Sequence, residues 1–152
     1  MPEQFSVTFR VGWAQTDANH HMRNTAFLDL CVDTRFIFFE QHGVPVAEFE
    51  RPRVGPVVFR DEVDYFRELR LLDSVRMTLA LGGLSEDRSR FRLRNELFAA
   101  DGTLAARVTS TGAWFSLETR KLTAPPEAVA AALAALGRTD DFEVLGSRSS
   151  QT

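Results

Sequence analysis

Between Gln15 and Phe27 the chain reads QTDANHHMRNTAF, and this short stretch holds an aspartate, two asparagines and two of the three histidines. Asp17, Asn19 and Asn24 are ordinary cap and turn residues, since short polar side chains satisfy backbone N–H groups at a strand-to-helix junction. The same types also permit chemistry. A helix N-terminus presents free N–H groups and the positive end of a dipole, which favour charge developing on a carbonyl oxygen. A carboxylate beside such donors is placed to attack an acyl group. Asp17 would then act as nucleophile or as general base toward water. Asn19 and His21 follow closely enough to orient water, carboxylate or substrate. Thioesters suit this equipment, because a thiolate leaves without a strong acid catalyst.

Other chemistries fit less well. Asp17, His20 and His21 are possible metal ligands, but adjacent histidines on a turn lack zinc-site spacing, so no metal is expected. The third histidine, His42, lies at the far end of the following helix, roughly 30 Å away if that helix is straight. No Gly-x-Ser-x-Gly elbow and no phosphate-cradling glycine loop occurs.

The flanking segments must position the turn. Phe5, Val7, Phe9, Val11 and Trp13 alternate as on a half-buried strand over 5–13. From Asn24 to His42 the period becomes helical. Phe27, Leu30, Cys31, Thr34, Ile37 and Phe38 form one stripe, widened by Leu28, Val32, Phe36 and Phe39. A helix so apolar around its girth must be enclosed. Gly43 and Pro45 end it. A charged, proline-containing loop over 48–56 leads into strands at about 56–66, 74–84, 88–99 and 103–117. Gly82-Gly83 with Ser85-Glu86-Asp87, and Asp101-Gly102, read as the turns between them. PPEAVAAALAALG predicts a short C-terminal helix closed by Gly137. The expected fold is therefore α+β: a long central helix wrapped by a five-stranded antiparallel sheet, plus a short C-terminal helix. The domain is expected to span 1–137, with a frayed tail over 138–152.

Bulk properties narrow the class. A chain of 152 residues with 44% hydrophobic and 26% charged residues is one soluble domain. Its net charge of −3, without a dense basic block, argues against nucleic acid. No apolar run reaches membrane-spanning length, and no signal peptide is visible. The lone Cys31 reads as a buried structural thiol, and a reducing cytoplasm is the expected compartment.

The motif resembles the Asp-containing turn of hotdog-fold thioesterases of the 4-hydroxybenzoyl-CoA thioesterase class, whose pattern is close to D-T-D-x-x-G-H-V-N-N-x-x-Y. Asp17 falls on the second, catalytic Asp, and His21, Asn24 and Phe27 fall on the His, the second Asn and the Tyr. Gln15, His20 and Arg23 replace the first Asp, the Gly and an Asn. The strand–helix–four-strand order is also the hotdog order, so the resemblance spans about 5–120. Asp17-x-Asn19-x-His21 is in turn similar to the D-x-N-x-H segment of plant-type acyl-ACP thioesterases of the same fold. YFRELRLLDSV, Tyr65 to Val75, is similar to their Y-R-R-E-C-x-R-D-S-V segment and places Glu68 on their Glu. There Glu68 would polarise His21 or position water; as a bare sequence feature it reads equally as an exposed strand-end charge.

The resemblance implies an acyl-CoA or acyl-ACP substrate, no cofactor, and an active site at a homodimer interface, with the acyl chain beside the central helix. Asn24, Phe27 and Tyr65 would contact substrate. Phe36, Phe38 and Phe39 would line an acyl tunnel or serve as core. Arg88, Arg90, Arg92 and Arg94 alternate with Phe91 and Leu93, so the arginines share one strand face. That face is a solvated or oligomer surface, or a landing for carrier phosphates through Arg88 and Arg90. An antiparallel sheet has edges, and pairing an edge with a second copy predicts a dimer, or a dimer of dimers. The compact single-domain format favours CoA over ACP. A hydratase of the same fold and a non-catalytic acyl-CoA binder are the rival functions.

Overall fold

The computed structural model describes residues 4–146. Strand β1 (Ser6–Arg10) leads through a 3-10 turn (Trp13–Gln15) into the central helix α1 (Asn24–Gln41) and a short helix α2 (Ala47–Glu50). Strands β2 (Val54–Tyr65), β3 (Ser74–Thr78), β4 (Ala80–Ser85), β5 (Arg90–Ala99) and β6 (Leu104–Ser116) follow. Helix α3 (Glu127–Ala135) and strand β7 (Arg138–Leu145) complete the order.

The seven strands occupy five columns. β2 pairs with β6, and β6 with β5. The other edge of β5 meets β4 and β3 in succession, because the expected strand over 74–84 breaks at Leu79. β1 runs antiparallel to β3, and β7 parallel to β4, as the outermost column. The expected hairpins at 85–90 and at Asp101-Gly102 are present, with Gly102 at φ +86°.

Two expectations are corrected. Residues 138–145 are β7 rather than a frayed tail; the rest of that segment, from 147 on, lies outside the described residues. The Gly82-Gly83 pair is not a turn but part of β4. A Cβ on Gly83 would stand 2.9 Å from Leu145 Cδ2, so the glycine lets β7 approach. Helix α1 is also less enclosed than its composition implies. Val32 is 44% exposed, and Leu28, Phe36 and Ile37 are half-buried.

The sheet-facing side of α1 divides the core in two. Ala26, Phe27, Leu30 and Cys31 pack with Val75, Met77, Leu97 and Val108 below the helix N-terminus. Phe38 and Phe39 pack with Phe49, Leu81, Phe91, Trp114 and Leu133 at the other end. Phe38 and Phe39 are thus core. Between the clusters lies Arg35, 8% exposed. Its Nε and Nη2 donate to Asn95 Oδ1 at 3.1 and 2.9 Å, and Nη2 donates to Ser110 Oγ at 2.7 Å. Asn95 donates onward to the Thr78 carbonyl at 3.0 Å, and Ser110 donates to Asp61 on β2. Burial pulls Arg35 below its ordinary pKa, while Cys31 and Asp61 nearby oppose this. Burial likewise pushes the Cys31 thiol up to about 12, so it is an inert core group at neutral pH.

Buried acceptors that lose their donor are costly. Replacing Arg35 with alanine leaves Asn95 Oδ1 without a donor, removes the donor to Ser110 Oγ and opens a void in the helix–sheet contact. The variant is expected to lose about 3 kcal/mol of stability by urea denaturation. A loss well under 1 kcal/mol would mean that water replaces the guanidinium freely.

Candidate active site

The stretch singled out above forms a miniature antiparallel loop. Thr16 bridges Met22, and the Asp17 N–H donates to the His21 carbonyl at 2.9 Å. Its base is closed by Gln15, whose side-chain Oε1 accepts the Gly12 N–H at 2.9 Å while its carbonyl accepts the Arg23 N–H at 2.8 Å. Gln15 therefore ties the turn in the position where the thioesterase pattern has its first Asp. His20 adopts φ +63°, the left-handed region that favours glycine. It holds this conformation itself, at the position where the thioesterase pattern has Gly. Arg23 contacts Asp29 at 3.6 Å, along the first turns of α1.

One oxygen of Asp17 is committed to this loop. Oδ1 accepts the N–H groups of Asn19 at 2.9 Å and His21 at 3.3 Å, and Oδ2 has no hydrogen-bond partner among the described residues. The loop is in turn docked on the β2–β3 connection. The Met22 N–H donates to the Leu69 carbonyl at 2.6 Å, and His21 bridges Arg70. That docking sets Glu68 against His21, with Glu68 Oε2 2.9 Å from His21 Nε2. At the end of β2, the Tyr65 hydroxyl donates to the Asn24 carbonyl at 2.9 Å, and its ring meets Phe27 edge-on at 5.1 Å. Partial burial raises the Tyr65 pKa, so the phenol remains a donor. Helix α1 starts beside these groups without a side-chain cap; the Ala26 N–H donates to the Arg23 carbonyl at 3.0 Å, which leaves the Asn24 and Thr25 N–H groups without a partner among the described residues.

Asp17, His21, Asn24, Phe27, Tyr65 and Glu68 line one open groove of about 410 Å³, together with Met22, Phe66 and Arg67. Asn19 is exposed and outside that lining; it contributes its backbone N–H to Asp17. Arg88 and Arg90 are elsewhere. Arg88 sits in the β4–β5 turn at φ +63°, 3.8 Å from Glu127, and Arg90 lies over the Phe59 ring at 5.4 Å. Arg92 and Arg94 face Glu143 and Asp141 of β7 at 3.3 and 3.0 Å. The arginine face is thus partly neutralised by the segment expected to be a tail. Met22, Phe66 and Arg67 were not singled out from sequence. Phe66 and Arg67 stand between Tyr65 and Glu68, and that adjacency was the available signal. Among the described residues, no group of three or more His, Cys, Asp or Glu could hold a metal ion.

The left-handed backbone at His20 gives a test of this loop. His20→Gly relieves a β-carbon contact that glycine lacks, and is expected to raise stability by about 0.5–1 kcal/mol in thermal unfolding. A destabilised variant would mean that the His20 ring, 6.5 Å from the Trp13 ring, contributes more than the strain removes.

The fold and this loop can be set beside known proteins. A family model described as the thioesterase-like superfamily matches residues 11–133. No curated protein matches the sequence. Solved structures do. A hypothetical protein of Staphylococcus aureus in complex with CoA superposes with a TM-score of 0.80 at 24% identity, covering 99% of this chain and 94% of that one. A 1,4-dihydroxy-2-naphthoyl-CoA thioesterase from Synechocystis gives 0.78 at 18% identity, with 87% and 96% covered. A gentisyl-coenzyme A thioesterase gives 0.75 at 18% identity, with 85% and 99% covered. At these identities the superpositions establish shared architecture, and the family match spans both the Asp17 loop and the β2–β3 connection on which it docks. The chain therefore belongs to the thioesterase-like superfamily, and its fold is the hotdog fold.

Proposed function

We propose that the protein hydrolyses acyl-CoA thioesters at the groove beside the N-terminus of α1. The observation that carries this reading is the Asp17 carboxylate, anchored through one oxygen by two backbone N–H groups with the other oxygen unengaged, at the uncapped start of the central helix. A thioester carbonyl seated at that helix end would receive N–H donors as charge develops on its oxygen. Asp17 then attacks the carbonyl carbon, expelling CoA thiolate and leaving a mixed anhydride that water cleaves. Alternatively it takes a proton from a water that attacks directly. Both routes consume one water and yield free acid and CoA. Glu68 holds the His21 ring, which orients that water or the substrate. Asn24, Phe27 and Tyr65 form the substrate-facing wall, and Asn19 acts through its backbone on Asp17. The close His21–Glu68 contact also suits the acyl-ACP thioesterase reading, in which only the carrier differs.

Free-thiol release from acyl-CoAs tests the proposal. Asp17→Asn is expected to lose at least about 10²-fold in kcat/KM, the scale of removing a positioned base or nucleophile. Glu68→Gln, which keeps the shape of the side chain, is expected to lose less. Turnover that survives Asp17→Asn intact would sink the assignment. Release from acyl-ACP but not from acyl-CoA would change the carrier.

A second copy of the chain is proposed at the β2 edge. Among the described residues β2 pairs only with β6, and its other edge is bare along a strand that carries exposed Val58, Phe59 and Tyr65. Such an edge pairs with another strand unless it is covered. The groove opens at the end of the same strand, through Tyr65 and Phe66, so the partner copy would close it. Light scattering is expected to give twice the chain mass. Val58→Lys is expected to shift the protein toward monomer, and an unaltered dimer would place the interface elsewhere.

A further inference from the structure

The groove stops where the core begins. Its floor is Met22 and Phe27, 5% and 3% exposed. Immediately behind them Ala26, Leu30, Cys31 and Leu69 are packed with at most 3% exposure each, so nothing continues the groove inward. A second obstacle lies further along the same face of α1. From Phe27 to Arg35 the helix rises roughly 12 Å. There the guanidinium holds Asn95 and Ser110 at 2.7–3.1 Å, donors and acceptors that an alkyl chain could not replace. The side wall is fixed as well, because Tyr65 is tied to the Asn24 carbonyl and set edge-on to Phe27.

From this we infer that the groove takes a compact acyl group, short-chain or aryl, and excludes long fatty acyl chains. The inference rests on the thioesterase reading and supplies its substrate class. Burying a long chain behind Phe27 would require the sealed cluster to open and the Arg35 network to lose its partners. The compact group needs neither, and gains contact with the exposed Tyr65 and Phe66 rings. A long chain has one rival route, along the outer face of α1 over Leu28, Val32 and Phe36.

Two measurements decide this on the wild-type protein. In the first, kcat/KM is compared for butyryl-, benzoyl- and palmitoyl-CoA, with palmitoyl kept below its micellar range. Butyryl or benzoyl is expected to exceed palmitoyl by more than about tenfold. Palmitoyl turnover equal to or faster than both would overturn the limit and point to the outer helix face. The second does not depend on turnover: calorimetric binding of the thioethers S-butyl-, S-benzyl- and S-hexadecyl-CoA. The hexadecyl compound is expected to bind no more tightly than the butyl one, and hexadecyl binding tightest would overturn the limit. If every thioester is inert while the thioethers follow the expected order, the hydrolase reading fails and the size limit stands.

Discussion

A guanidinium cannot be buried in an apolar contact unless its donors are satisfied, and Arg35 is buried at the centre of the helix–sheet interface. Its partners come from three strands: Asn95 on β5, Ser110 on β6 and, through Ser110, Asp61 on β2. Hydrophobic packing alone tolerates small slides and rotations of a helix on a sheet. A forked cation with fixed acceptors does not, because each bond depends on distance and angle. Arg35 therefore sets the rotation and height of α1. Everything at the helix N-terminus inherits that setting, including the distance from Asn24 to Tyr65 and the seat of Phe27 below it.

The Asp17 loop is held at its other end by backbone bonds. Gln15 closes it, Met22 hangs it from Leu69, and His21 bridges Arg70. The carboxylate that serves as the loop's internal acceptor is the same group proposed to act on substrate. One oxygen is enough for the first task, which leaves the second available for the other. Structural cap and proposed catalyst are compatible here because a carboxylate has two oxygens with several acceptor sites. The left-handed residue at His20 is a cost localised to the same loop, in keeping with strain collecting at functional turns.

Much of this was legible in the sequence for definite reasons. Alternation in β5 is plain because Phe91, Leu93 and Leu97 face the core while arginines face outward, and α1 runs from Asn24 as its period indicates. The pairing of Glu68 with His21 followed from resemblance and needed the fold to bring the two segments together. Arg35 was invisible, since an arginine in a helix normally reads as a solvated charge. β7 was missed because RTDDFEVL buries only Thr139, Phe142 and Leu145 in part, so its spacing is not that of a strand with one buried face. The acids that pair with Arg92 and Arg94 are its Glu143 and Asp141.

That pairing bears on where the chemistry resides. On the face of the sheet away from α1, Arg94 and Arg107 already have carboxylate partners in Asp141 and Glu96. Arg94 donates to Asp141 at 3.0 Å and Arg107 to Glu96 at 2.9 and 2.7 Å, so these two cations are paired within the sheet. An incoming phosphate would compete there with the carboxylates bound at Arg94 Nη2 and at Arg107 Nε and Nη2. The helix side is arranged differently: a helix start without a side-chain cap, a carboxylate oxygen with no partner among the described residues and an aromatic floor meet at one groove. Unsatisfied polar groups beside a fixed apolar surface are what a ligand can complete, and a compensated ion-pair field offers a ligand little. The groove proposed as the active site therefore lies on the side of the sheet that carries α1, away from these ion pairs.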